Sequence, residues 1–126
     1  VPGGGVAFLR AIPAVKKLIN SLNGDERMGA EIILEALRAP TRQLVVNGGG
    51  DGDVIVEEIL EKTGNNGYDV RNRKFVDMVK EGIIDPAKVS RVALETAASV
   101  SGLLLTTEVL LTDVKDEEKK IEHAIR

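Results

Sequence analysis

Apolar residues recur at three- and four-residue steps from Val6 to Leu22 (Val6, Leu9, Val15, Leu18, Ile19 and Leu22), which predicts an amphipathic helix. Pro13 lies inside it, and a proline there removes a backbone donor and crowds the preceding turn, so a kink or a break is expected. Asn23-Gly24-Asp25 reads as a turn. Asp25 offers an oxygen to cap a second helix running to about Leu37, with Met28, Ile32, Ile33, Ala36 and Leu37 facing inward. Pro40 ends that helix and suits the first turn of the next. Thr41 to Asn47 fits helix or strand by pattern, and its place between two helical stretches favours helix.

A second glycine cluster, Gly48-Gly49-Gly50-Asp51-Gly52, reads as a turn that closes a helix C-terminus. A phosphate cradle would need a strand before it and Lys-Ser/Thr after it, whereas Asp53-Val54 follows. Asp53 is expected to start a helix through Val56, Ile59 and Leu60. After the turn Thr63 to Gly67, Tyr68-Asp69-Val70 and Lys74-Phe75-Val76 flank Arg71-Asn72-Arg73 and predict a small β-hairpin. Asp85-Pro86 has the form of a helix start, an oxygen acceptor followed by proline at the first helical position. Val89, Val92, Ala93, Thr96, Ala97, Val100 and Leu104 then form one stripe, expected to lie on a buried central helix. Glu108 to Val114 favours an extended edge strand whose partner lies elsewhere. Lys115 to Arg126 is mostly charged and reads as a flexible tail or a solvated helix.

Composition narrows the picture. The 126 residues are 43% apolar, nearly all Val, Ile, Leu and Ala, with only Phe8, Tyr68 and Phe75 as aromatics. Such a chain suits closely packed helices, and the expected fold class is mainly α. So few aromatics disfavour a stacking platform for single-stranded nucleic acid, and a net charge of −3 gives no attraction toward a phosphate backbone. With no cysteine, disulfides and thiolate metal sites are excluded, and the single His123 cannot anchor a metal cluster or catalytic dyad alone. No apolar run reaches the roughly 18 residues of a membrane span. The opening on Val1-Pro2-Gly3-Gly4-Gly5, without an initiator Met, reads like a loop inside a longer protein.

Two features carry candidate chemistry. Gly3-Gly4-Gly5 precedes a helix, where unpaired amides can face an anion or a flat ligand; steric relief of a tight turn explains the same glycines. Asp85 can accept hydrogen bonds from ribose hydroxyls or merely cap its helix. No Ser-His-Asp set, acid pair or metal-ligand spacing emerges, which disfavours an autonomous hydrolase or a small phosphate-binding enzyme.

The order of segments adds more than any one motif. Pro2-Gly3-Gly4-Gly5-Val6, Glu35-Ala36-Leu37-Arg38-Ala39-Pro40, Gly67-Tyr68-Asp69, Gly82-Ile83-Ile84-Asp85-Pro86-Ala87-Lys88-Val89, Ala97-Ala98-Ser99-Val100 and Thr106-Thr107-Glu108 together resemble the C-terminal part of the group I chaperonins, from Val1 to about Val114. The resemblance implies an antiparallel helix bundle of the chaperonin equatorial-domain type, with the hairpin and a C-terminal edge strand. Residues 1–114 would form the C-terminal segment of that ATP-binding domain, and residues 115–126 a charged tail. It further implies an ATP site in which Gly4, supported by Gly3 and Gly5, borders the nucleotide. Asp69, Val70 and Arg71 would lie along the adenine and Asp85 would bind the ribose, with Ile83 nearby. The family usually has Asn-Ala-Ala where this chain has Asp69-Val70-Arg71, so contacts there would run through the main chain.

The same resemblance implies that the Mg ligands, the phosphate loop and the acid that promotes hydrolysis lie outside this chain. The intact parent would be an ATPase, and this chain alone would not hydrolyse ATP. Partners would be other subunits of a double ring of heptamers, while the co-chaperonin and unfolded clients would bind parts absent here. No nucleic acid or membrane partner is expected, and bacterial cytoplasm is favoured over an organelle matrix. The strand at Val109 to Val114 would join an intersubunit sheet, and the turn around Arg42 and Asp51 would meet the opposite ring. The alternative is a stand-alone helical interaction domain without nucleotide.

Overall fold

A computed structural model describes residues 1–109 and Leu111. Five helices and one hairpin follow in the order α1 (Val6–Ile19), α2 (Gly24–Ala36), α3 (Ala39–Asn47), α4 (Gly52–Glu61), β1 (Asn66–Asp69), β2 (Lys74–Asp77) and α5 (Ala87–Leu105). The mainly helical class and the hairpin agree with expectation. Of the expected strand Glu108–Val114, the described residues Glu108, Val109 and Leu111 are not in a strand, and the remainder lie outside the described residues.

Of the kink or break expected at Pro13, there is no break: α1 is continuous through it. Pro13 faces solvent, where water can take the carbonyl that the missing N–H leaves bare. The inward face is Val6, Leu9, Ile12 and Ile19, while Leu18 is exposed and Val15 half-buried. The helix stops before Leu22, where the Ser21 hydroxyl donates to Leu18 O at 2.7 Å. A four-residue connection, Asn20 to Asn23, then folds α2 back against α1.

α2 differs from expectation in two ways. Its N-cap is Asn23, without a side-chain cap, and Asp25 sits inside the first turn, where its charge complements the helix dipole. No residue of α2 is buried: Met28 and Ile32 are exposed, Ile33 and Leu34 pack partly on the core, and only Leu37, just beyond the helix, is enclosed. A two-helix hairpin buries one narrow stripe, and Met28 and Ile32 lie outside it.

Pro40 occupies the first turn of α3, as expected. The glycine cluster is the α3–α4 turn, but Asp51 rather than Asp53 caps α4. Its carboxylate accepts from Asp53 N at 3.1 Å and Val54 N at 3.2 Å, because the extended backbone of the N-cap residue aims its side chain at those amides. β1 and β2 pair antiparallel with Tyr68 opposite Phe75, whose rings meet edge to face at 5.1 Å. Val6, Leu9 and Ile12 of α1, Leu37, Val56 and Ile59 of α4, and Met78 after β2 make the core.

α5 contradicts the expectation of a buried central helix. None of its residues is buried, and only Ser90 and Leu94 are even half-covered. The apolar stripe is real, but no described element of this chain lies over it.

Candidate functional site

Gly3 to Gly5 form a turn leading into α1. Gly4 and Gly5 have φ of 64° and 79°, the left-handed region that side chains resist. Gly5 also lacks room, since a Cβ there would lie 2.5 Å from Thr41 Oγ1. Thr41, 3% exposed at the start of α3, donates its hydroxyl to Gly4 O at 3.0 Å and so braces the turn from below. A Cβ on Gly4 would meet only the flexible end of Met78.

The second strand of the site is Ile83 to Asp85. Gly3 N donates to Ile83 O at 2.9 Å, Asp85 N donates to Val1 O at 3.0 Å, and Pro2 and Ile84 form an antiparallel bridge. A Cβ on Gly3 would stand 3.1 Å from Ile83 O, so glycine is what permits this approach. Pairing keeps the backbone extended through Pro86, at φ −64° and ψ 123°, and α5 therefore starts at Ala87. Asp85 is consequently not the helix cap expected from the Asp-Pro pair. Its side chain is exposed and has no cap, hydrogen bond or salt bridge among the described residues.

Asp69 to Arg71 open the hairpin turn. The Asp69 carboxylate accepts from Asn72 N at 3.1 Å and Asn72 Nδ2 at 2.6 Å. The Asn72 side-chain bond, followed by its backbone bond, holds the Asp69 pKa below the ordinary value. The carboxylate is thus engaged in closing the turn. Val70 packs against Gly48, and Arg73 donates to Gly48 O at 3.3 Å. A shallow cavity of about 120 Å³ lies between them, lined by Val45, Gly48 to Gly50, Tyr68, Val70 and Arg73. That is small against the roughly 300 Å³ lower bound for an organic ligand.

Val1 to Gly3 and Ile83 to Asp85 therefore pair as one short antiparallel ribbon, and the ribbon's first segment runs on into the Gly3–Gly5 turn. The Asp69–Arg71 turn stands apart from it at the far end of a four-residue strand, about 10 Å from the hairpin base. The base itself touches α1, because Gly67 packs without a side chain against Val6 and Met78. Sequence reasoning overlooked Thr41 and Arg10, whose guanidinium ties α1 to the approach to β1. Neither belongs to a recognisable motif; Arg10 alone gave a sign, as a charged residue within an otherwise apolar stretch. Among the described residues no acid or histidine group is arranged to hold a metal ion, and no helix is long and apolar enough to cross a membrane.

Residues 1–115 match the TCP-1/cpn60 chaperonin family. Among solved structures, the chain is similar to a group III chaperonin in the open state, with a TM-score of 0.79 and 31% identity over 88% of this chain and 24% of that one. It is also similar to the open-state monomer of a group II chaperonin from Methanococcoides burtonii, with a TM-score of 0.78 and 24% identity over 85% of this chain and 28% of that one. The latter likeness concerns the fold alone. The chain spans about a quarter of the length of these structures.

Proposed function

The chain belongs to the TCP-1/cpn60 chaperonin family, and we propose that it is the C-terminal segment of that family's ATP-binding equatorial domain, supplying the base and ribose side of the pocket. The observation that carries this reading is the ribbon joining Val1–Gly3 to Ile83–Asp85, which ties the segment bearing an uncommitted carboxylate to the segment that runs into a side-chain-free turn. A ribose needs a hydrogen-bond acceptor for its vicinal hydroxyls, and a nucleotide needs a close approach to backbone. Asp85 would take the ribose and Gly4 would border the nucleotide, with Ile83 against the sugar and base. Asp69, Val70 and Arg71 would contribute main-chain contacts along the adenine. Two of those side chains fit poorly as base ligands, Asp69 being engaged by Asn72 and Val70 by Gly48.

The assignment within the family to group I rests on the ordered motifs from Pro2-Gly3-Gly4-Gly5 to Thr106-Thr107-Glu108. On this reading residues 1–114 belong to the domain and 115–126 form its tail. Phosphoryl transfer requires a metal and phosphate-positioning groups; these would come from other parts of a longer protein, an ATP-driven folding machine of ring-forming subunits in the bacterial cytoplasm. Co-chaperonin and unfolded clients would bind outside this segment. The region around Arg42 and Asp51, where Arg42 of α3 pairs with Asp53 in the first turn of α4 at 3.0 Å, would lie where the two rings of heptamers meet.

The test is a titration of the isotope-labelled chain with ADP, followed by NMR so that millimolar binding is visible. Gly4, Ile83 and Asp85 amides should shift together, and Asp85→Ala should remove the response without lowering the melting temperature. Shifts scattered over the surface, or a response untouched by Asp85→Ala, would sink the assignment. The purified chain should show no magnesium-dependent ATP turnover. A second reading, a helical interaction domain without nucleotide, draws on the exposed apolar face of α5. The complete reading frame separates the two: an upstream Gly-Asp-Gly-Thr-Thr-type loop supports the first, and a start codon directly before Val1 the second.

A further inference from the structure

Arg10 lies in the second turn of α1, and its guanidinium makes four hydrogen bonds, all to backbone carbonyls. Nε donates to Gly64 O at 2.8 Å, Nη1 to Ile59 O at 3.1 Å and to Lys62 O at 2.8 Å, and Nη2 to Asn66 O at 2.8 Å. No carboxylate among the described residues pairs with it. Burial lowers its pKa by desolvation, yet a guanidinium stays charged at any physiological pH. A charge placed there without a counter-ion is stabilised by the carbonyl dipoles it collects.

The acceptors belong to three consecutive pieces of chain. Ile59 and Lys62 sit at the end of α4, where the helix dipole leaves partial negative charge on the carbonyls; Ile59 O also accepts from Lys62 N at 3.1 Å, and Lys62 O lies past the last helical residue. Gly64 is in the connecting turn, and Asn66 is the first residue of β1. Only a planar fork with several fixed donors can engage all three at once. Arg10 is five residues from Gly5, about 7.5 Å along the helix axis. In the other direction, Asn66 is three residues from Asp69, about 10 Å along the strand. One side chain therefore spans the gap between the element that carries the glycine loop and the element that carries the hairpin turn.

We propose that Arg10 is the positioning residue of the nucleotide site: it sets the Asp69–Arg71 loop at a fixed distance from the Gly3–Gly5 loop by tying the α4–β1 connection to α1. This rests on the nucleotide reading above. Arg10 touches no ligand itself; it acts through the hairpin.

Three labelled chains decide it: the unaltered protein, Arg10→Lys and Val56→Ala. Lysine keeps the charge and the stem but offers a single point donor, and Val56→Ala loosens the same core without touching the clamp. With ADP, the unaltered chain should respond at both Gly4 and Asp69–Arg71. Arg10→Lys should keep the Gly4 response and lose the Asp69–Arg71 response by about fivefold or more, whereas Val56→Ala should keep their ratio. A full Asp69–Arg71 response in Arg10→Lys, or parallel loss at both loops, overturns the proposal. If the unaltered chain ignores ADP, the nucleotide reading fails by itself and amide exchange settles the positioning claim. Exchange at Tyr68 and Met78 about tenfold faster in Arg10→Lys, with α1 unchanged, supports it, and unchanged exchange overturns it. Arg10→Gln, which keeps part of the fork, replaces the lysine variant if that chain does not fold.

Discussion

α1 and α5 each carry an apolar stripe at helical spacing, yet they end in opposite surroundings. In α1, Val6 is 0% exposed and Leu9 1%, whereas in α5 Val89 is 62% and Leu103 66% exposed. The two helices do not differ in pattern so much as in company. A short connection returns α2 onto α1, and α4 and the hairpin close over α1's other side, so its stripe meets apolar partners. α5 follows the extended segment Ile83 to Pro86; Leu94, which lies off the stripe, packs partly on the core, and the stripe itself meets nothing in the described chain. Amphipathic spacing states what a helix is able to bury; whether it does so depends on a second surface. Most helical stability in a protein comes from packing an apolar face, and among the described residues α1 has that packing while the α5 stripe does not.

The widest separation between the two regions should appear on truncating matched side chains. Ile59→Ala, in the core against α1, should lower unfolding free energy by about 2–5 kcal/mol, while Val100→Ala on α5 should stay within about 0.5 kcal/mol. Urea denaturation of both variants measures this directly, and equal losses would mean that α5 is buried in solution. Gly5→Ala comes next, at about 1–3 kcal/mol, because the new Cβ meets both a left-handed backbone and Thr41. The same denaturation, with Gly24→Ala beside it as a left-handed glycine in open space, separates strain from collision.

Asp51→Ala should lower stability by about 1 kcal/mol through loss of the α4 cap, with no matching effect for Asp53→Ala. Thermal melts of the two variants check which aspartate caps the helix. The smallest effect concerns pH. Because hydrogen bonds from Asn72 lower the folded pKa of Asp69, its contribution is complete above the unfolded value near ~3.9 and is withdrawn as pH falls through the lower folded value. Protection of the hairpin amides, taken relative to their intrinsic exchange rates at each pH, should therefore be constant between neutrality and about pH 5 and fall only below ~4, and Asp69→Asn should remove that dependence. A fall near neutrality would assign it to another group.

Much of the fold was legible because its signals are local. Pro40 at a helix start, the glycine-rich turn before α4, and the hairpin around Arg71-Asn72-Arg73 each follow from what a few adjacent residues permit. The caps were misjudged where two candidates stood close together. Asp51 and Asp53 both carry the required oxygen, and only the extended backbone at Asp51 selects one of them. Asp85 preceding Pro86 had the composition of a cap but not its position, since Pro86 is itself extended and takes the N-cap place, leaving Asp85 one residue too early. The candidate site was half legible. Gly3 to Gly5 and Asp85 stood out as residue types, but nothing local indicated that residues some eighty positions apart form one ribbon, that Thr41 braces the glycine turn, or that Arg10 ties α1 to the start of β1.

The amino-acid sequence by itself determined the helical class, the turns, the hairpin and, through an ordered series of motifs, the family. These depend on backbone preference and on periodicity, which neighbouring residues set between them. Only the tertiary structure decided which stripes are covered, which carboxylates are engaged and which is left available. Burial and hydrogen bonding are properties of pairs of surfaces, and where a pair is complete its second member lies far along the chain.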